Sequence, residues 1–144
     1  MTVSIHCQVI GVIIGTDLLR IRFKEKKEAD MVINRSDMKV EDKERMRDGE
    51  GSVHLTYLLD ASTQKNARLF AEITLNPGCS IGNHRHDSET EYYFILSGTG
   101  LVNDNGREVQ VKQGDSIITG DGASHNIKNT GSVPLVFHAI IITH

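Results

Sequence analysis

The sequence predicts an all-β domain, an antiparallel sandwich or barrel. Short runs alternate apolar and polar residues with a period of two. The plainest is Arg68–Leu75 (RLFAEITL), where Leu69, Ala71, Ile73 and Leu75 share one face. Turn signals separate such runs at near-regular spacing: Asn76-Pro77-Gly78, Asp104-Asn105-Gly106, Lys112-Gln113-Gly114-Asp115. Almost nothing reads as helix, and 13 glycines against 2 prolines fit many tight turns. A chain of 144 residues suits one domain. It should bury roughly two-thirds of its unfolded surface and so needs no disulfide staple.

Charge and composition exclude some functions. A net charge of −3 and a pI near 6.1 supply no basic field, so no nucleic-acid partner is expected. No apolar run is long enough to span a bilayer, so no membrane segment is expected. Cys7 and Cys79 are far apart in sequence and form no C-x-x-C pair, which fits a reducing, cytoplasmic setting. Cys79 reads as a small packing residue.

Residues 1–30 differ in pattern from the rest and read as an N-terminal extension. Val9–Ile14 is apolar and β-prone, Gly15-Thr16-Asp17 suits a turn, and Leu18–Phe23 suits a return strand, a hairpin added to the barrel. The segment lacks the basic start and cleavage site of a signal peptide. A second expectation is that translation starts at Met31. Lys27-Glu28-Ala29-Asp30 can be encoded by a purine-rich ribosome-binding sequence just before the Met31 codon. The domain is then 31–144.

From Met31 the elements follow in order. Met31–Asn34 is a short strand or arm. Ser36–Arg47 is charge-dense and reads as a solvated loop or a short helix with i,i+4 pairs. Strands are expected at Ser52–Leu59, Arg68–Leu75, Ser80–His86, Glu91–Leu96, Leu101–Asn103, Arg107–Val111, Ser116–Thr119, Ser124–Lys128 and Val133–Thr143. Asn105-Gly106 is a hairpin signal.

The chemistry concentrates in Gly78–Gly98 (GCSIGNHRHDSETEYYFILSG). His84 and His86 are one residue apart, so on a strand both imidazoles project from the same face, their Cα atoms about 6.5–7 Å apart. Glu91 follows after a turn, on what reads as a neighbouring strand. Glu89 competes with it; alternation with Tyr93 and Ile95 favours Glu91 as the inward residue. His125 stands on a later strand, one that could face the His84/His86 strand across a barrel. Asn83 and Asn129 are candidates for orienting the imidazoles, or turn residues. His54 and His138 lie on strands, and His6 and His144 lie near the termini; these four, with Tyr93, Phe94, Phe70 and Phe137, read as packing or surface.

The spacing of these residues resembles the two motifs of the cupins. The first is Gly78-x5-His84-x-His86-x4-Glu91-x6-Gly98. The second begins after fifteen residues: Gly114-x5-Gly120-Asp121-Gly122-x2-His125-x3-Asn129. One position departs, since cupins usually carry proline where this chain has Gly120, a turn position that binds nothing. The resemblance covers Met31–His144 and is greatest to small single-domain cupins of the oxalate-decarboxylase-like type. It implies a jelly-roll barrel (double-stranded β-helix). It also implies a divalent metal ion (Mn, Fe, Ni or Zn) held by His84, His86, Glu91 and His125, and a homodimer. Three imidazoles and a carboxylate suit a first-row metal, with two positions left for water or a small-molecule ligand if six-coordinate.

Three function classes follow from the resemblance. The first is a metal-dependent enzyme on a small carboxylate or dicarbonyl, by oxalate-decarboxylase-like or dioxygenase chemistry. The second is a non-catalytic module that binds or senses metal and ligand. The third is a sugar-phosphate isomerase, although no Lys/Arg cluster is apparent in the motif strands. Decarboxylation would need a cation for the second carboxylate, for which Arg68 is the candidate, and an acid, for which Asp87 and Glu89 in the loop beside the metal are the candidates.

Overall fold

The computed structural model describes residues 32–144. The expected N-terminal hairpin and the expected start at Met31 lie outside the described residues. Ten strands follow in chain order: β1 Val40–Glu44, β2 Ser52–Tyr57, β3 Ala67–Leu75, β4 Ser80–Arg85, β5 Glu89–Ser97, β6 Thr99–Asp104, β7 Arg107–Lys112, β8 Ser116–Gly120, β9 Ser124–Asn129 and β10 Leu135–Thr143. Three single 3₁₀ turns, Arg35–Asp37, Met46–Asp48 and Ala61–Thr63, are the helical structure among the described residues.

The strands form two antiparallel sheets. One has six strands in the order β1-β2-β3-β10-β5-β8, the other four in the order β4-β9-β6-β7. This is the jelly-roll barrel. Alternation supplies its filling: Leu55, Ile73, Tyr93 and Phe137 come from the larger sheet, and Ile81, Val102, Val111 and Ile127 from the smaller. The Asn105-Gly106 hairpin forms as expected, both residues taking positive φ (50° and 97°) between β6 and β7.

Two expectations are corrected and one is narrowed. Within the charged stretch Ser36–Arg47, expected as a loop or a short helix, Val40–Glu44 is an edge strand paired with β2, and 3₁₀ turns flank it. Its solvent face carries charge, as an edge strand requires, and Glu41 takes a hydrogen bond from Tyr57 (2.7 Å) on the inward side. Val32–Asn34 forms no strand, which leaves the arm of the two expected alternatives. β5 starts at Glu89, two residues before the expected Glu91, which takes Glu89 out of the loop.

A candidate metal centre at the barrel mouth

The histidine strand is aimed by an irregularity. Ile81 pairs with Ile127 and His84 with His125, so β4 spends one more residue than β9 over the same stretch. This bulge, at Gly82-Asn83, reverses the alternation. Ile81 therefore packs in the core while His84 and His86 also turn inward. The ladder continues past the bulge, with His86 N donating to Ala123 O (3.1 Å) and Gly122 N to His86 O (2.9 Å).

The expected placement of the donors is also corrected. His125 does not face His84 across the barrel; β9 is the hydrogen-bonded neighbour of β4, and the two histidines are directly paired. Glu91 does not come from a strand next to β4. It lies on β5 in the opposite sheet, so the carboxylate reaches the imidazoles from across the barrel.

The four donors converge. One donor atom from each of His84, His86, Glu91 and His125 lies within 4.8 Å of every other. Glu91 Oε2 is 2.9 Å from His125 Nε2, 3.0 Å from His86 Nε2 and 3.3 Å from His84 Nε2. His125 Nε2 is 3.1 Å from His84 Nε2 and 3.2 Å from His86 Nε2. His86, Glu91 and His125 are almost wholly buried.

The outer ring nitrogens set the tautomers. His84 Nδ1 donates to the Gly82 carbonyl (2.9 Å), and His86 Nδ1 to the Glu89 carboxylate (2.8 Å). His125 Nδ1 shares a hydrogen bond with Thr119 Oγ1 (2.9 Å). With their protons committed outward, His84 and His86 turn Nε2 lone pairs towards an ionised Glu91. Burial pushes the Glu91 carboxyl up, but hydrogen bonds from His125, His84 and His86, formed when protons occupy the Nε2 positions in place of an ion, outweigh burial and hold it well below the usual carboxylate range. Glu91 and then Glu89 raise the pKa of His86 against burial. Lone pairs and an anion packed this closely repel unless a positive charge sits among them, so the donor set fits a divalent cation.

Glu89 is the residue whose part the spacing did not reveal. Parity with Tyr93 and Ile95 places Glu91 inward, but Glu89 has the same parity and also turns inward. It backs His86 and takes a two-pronged contact from Arg68, Nε to Oε2 and Nη2 to Oε1, both 2.6 Å. The Arg68 guanidinium holds the Glu89 carboxyl below its ordinary value. Asp87 lies on the surface and accepts from Arg85 Nε (2.8 Å). Neither carboxyl stands free as an acid at the cluster. Asn83 is exposed, and Asn129 serves the chain instead, donating to Leu75 O and Val133 O and accepting from Gly131 N. Tyr93 packs as expected, but on a donor: its ring stacks on His125 (5.0 Å between centroids).

A cavity of about 330 Å³ opens onto His84, His86 and Glu91. Its wall is apolar, with Leu55, Ile73 and Ile141, and its rim carries Lys43, Arg47 and Arg68. These cations come from β1, the turn after it and β3, outside both sequence motifs.

Barrel and site together define a class, and comparison with known proteins agrees. Residues 71–141 match the cupin domain family. The chain is 45% identical over 113 residues to an oxalate-binding protein of Thermotoga maritima, covering 78% of this chain and 93% of that one. It superposes with a TM-score of 0.75 on the crystal structure of a protein from the same organism described as a predicted oxalate decarboxylase. That match is 43% identical and covers 79% of this chain and 100% of the other. The polyketide cyclase RemF of Streptomyces resistomycificus shares the fold, at 19% identity and a TM-score of 0.64, over 78% and 79% of the two chains. The protein belongs to the cupin family.

Proposed function

We propose that this cupin holds one divalent first-row metal ion through His84, His86, Glu91 and His125 and uses it to bind a small dicarboxylate of the oxalate class. The convergence of four donors at the base of a cation-rimmed cavity carries the reading. Donors about 2.1 Å from an ion are roughly 3.0 Å apart at right angles and roughly 3.4 Å apart in a tetrahedron. The contacts that Glu91 Oε2 and His125 Nε2 make within the set run from 2.9 to 3.3 Å, nearer the first. A six-coordinate ion held this way keeps positions open for water or a ligand. The bound ion would supply Lewis acidity towards a carboxylate oxygen. The protein supplies the rest: Glu89 and Gly82 O fix two imidazoles, apolar walls exclude water, and rim cations attract an anion. The name of the Thermotoga relative agrees with this substrate class.

Binding without turnover is the form the geometry favours, because Glu89 is tied to Arg68 and Asp87 to Arg85, leaving neither as the proton donor that decarboxylation needs. Decarboxylase or dioxygenase chemistry is the second reading, favoured by a cavity that opens directly onto the donors. Elemental analysis, calorimetric titration with oxalate, and assay for CO₂, formate and O₂ uptake separate them. Metal and oxalate binding without product supports the first reading; product formation supports the second. Protein that binds metal but no oxalate refutes the first reading and the decarboxylase form of the second.

We also propose a homodimer built on the outer face of the larger sheet. There Phe70, Ile140, Tyr92 and Ile118 stand in one cross-strand row, with Ile118 66% exposed and Phe94 close by. Light scattering should give twice the chain mass, and Ile118→Asp should return it to one; a monomeric wild type refutes the proposal. Cys79, a free thiol, is compatible with a cytoplasmic setting.

A further inference from the structure

The turn between β1 and β2 is strained. Arg45, Arg47 and Asp48 all have left-handed backbones (φ 48°, 57° and 62°), a conformation that residues other than glycine seldom adopt. The turn is locked onto the strand that carries His84. A Cβ on Gly82 would run into the Arg47 carbonyl oxygen, and one on Gly49 into the Ser80 carbonyl oxygen, so the two backbones are in direct contact. Ser80 N donates to Glu50 O (2.8 Å), Glu50 N to Ser80 Oγ (2.8 Å) and Arg45 N to Gly51 O (2.8 Å). The backbone of Arg47 is therefore fixed relative to the donor cluster by contacts that do not involve its own side chain.

Arg47 is exposed and is among the residues that line the cavity. Arg35, Arg68, Arg85 and Arg107 each pair with a carboxylate. Among the described residues Arg47 has no such partner. Arg68, the other guanidinium at the cavity, is held by both prongs of Glu89 and has its charge answered. Lys43 has only a loose contact to Glu41, at 3.8 Å. A planar fork of donors with no anion of its own, on a backbone locked beside a small cavity, is complementary to a carboxylate.

We propose that Arg47 is the anchor for the far carboxylate of the ligand, with Lys43 reinforcing its charge, so that the cavity selects a short dianion over a monocarboxylate. This rests on the reading of the donor cluster given above. It moves the anion-recognition part expected of Arg68 to the β1–β2 turn and leaves Arg68 to hold Glu89.

The test is calorimetry on the metal-replete protein as purified, with oxalate as probe and formate as the single-carboxylate control. Arg47→Gln removes the charge. Arg47→Asn removes it with a side chain that tolerates a left-handed backbone, and Arg47→Lys keeps charge without the fork. The expected result is oxalate affinity about 10- to 100-fold weaker in the Gln and Asn variants and partly retained in the Lys variant, the usual scale for a lost charge-assisted hydrogen bond. Metal content and urea midpoint should stay at wild-type values, and formate binding should weaken far less than oxalate binding. Oxalate binding that survives Arg47→Asn overturns the assignment to Arg47 and leaves the metal-dependent reading intact. Equal loss of formate and oxalate also overturns it, since a far-carboxylate anchor must discriminate. Absence of oxalate binding in wild-type protein overturns the functional reading itself, and this inference with it.

Discussion

Replacing Glu89 by Gln should loosen the proposed metal centre without touching any of its four donors. Gln keeps the shape of the side chain but removes the charge that His86 Nδ1 meets at 2.8 Å and that Arg68 grips at 2.6 Å through two nitrogens. Two effects then act in the same direction. The imidazole loses the carboxylate that fixes its tautomer and raises its basicity. The Arg68 guanidinium, no longer neutralised, presents a bare positive charge on the cavity side of the cluster. Losing an outer carboxylate partner of a metal-bound histidine typically costs about 10- to 100-fold in affinity, or about 1.4–2.7 kcal/mol. Because Glu89 is only 13% exposed, solvent screens little at the His86 side; Arg68, 47% exposed, is screened more, so the histidine term should dominate. Metal affinity by competition with a chromophoric chelator reads the effect, and Arg68→Ala alone and with Glu89→Gln completes a cycle. The double variant should recover part of the loss, because the stranded guanidinium is gone. Affinity for Glu89→Gln within about twofold of wild type would refute the reasoning, since Glu89 would then be a surface ion pair that merely adjoins His86.

Two further outcomes follow from the same geometry. Gly82→Ala places a Cβ against the Arg47 carbonyl and must push the β1–β2 turn off β4; a loss of about 2–4 kcal/mol in urea unfolding is expected, and wild-type stability would show that the close approach is absent. Tyr57 at the cavity wall has its hydroxyl pushed up to about 12, by burial first and then by its hydrogen bond to Glu41. Its neutral form is therefore favoured by folding, so its contribution is complete below the ordinary tyrosine value of about 10 and falls away as pH rises from there to about 12. Tyr57→Phe should flatten that part of the stability profile, and an unchanged slope would contradict the placement.

How much of this the sequence revealed depended on which forces were local. The four donors were legible because strand alternation and motif spacing operate within a few residues, and β3 and β5 because Leu69, Ala71 and Ile73 or Tyr93 and Ile95 form plain stripes. β1 was not, because an edge strand made of Val-Glu-Asp-Lys-Glu carries no apolar stripe; its strand state is imposed by pairing with β2. In the sequence Glu89 reads as a loop residue, and its inward direction appears only once β5 begins there. The bulge had a signal, a glycine within a strand, but its consequence for parity needed the register with β9. Arg47 had none: three left-handed residues that are not glycine arise from tertiary locking, which no local pattern encodes.

Metal content tests the central claim most directly. Untagged protein, purified without chelator, should carry close to one first-row metal ion per chain, and stripped protein should take one up again. His86→Ala should do neither while unfolding in urea as the stripped wild type does, apart from the small cost of its own lost packing. Wild-type protein that is metal-free and takes up none on reconstitution would contradict the account, and so would a His86→Ala variant that binds the ion as tightly as wild type.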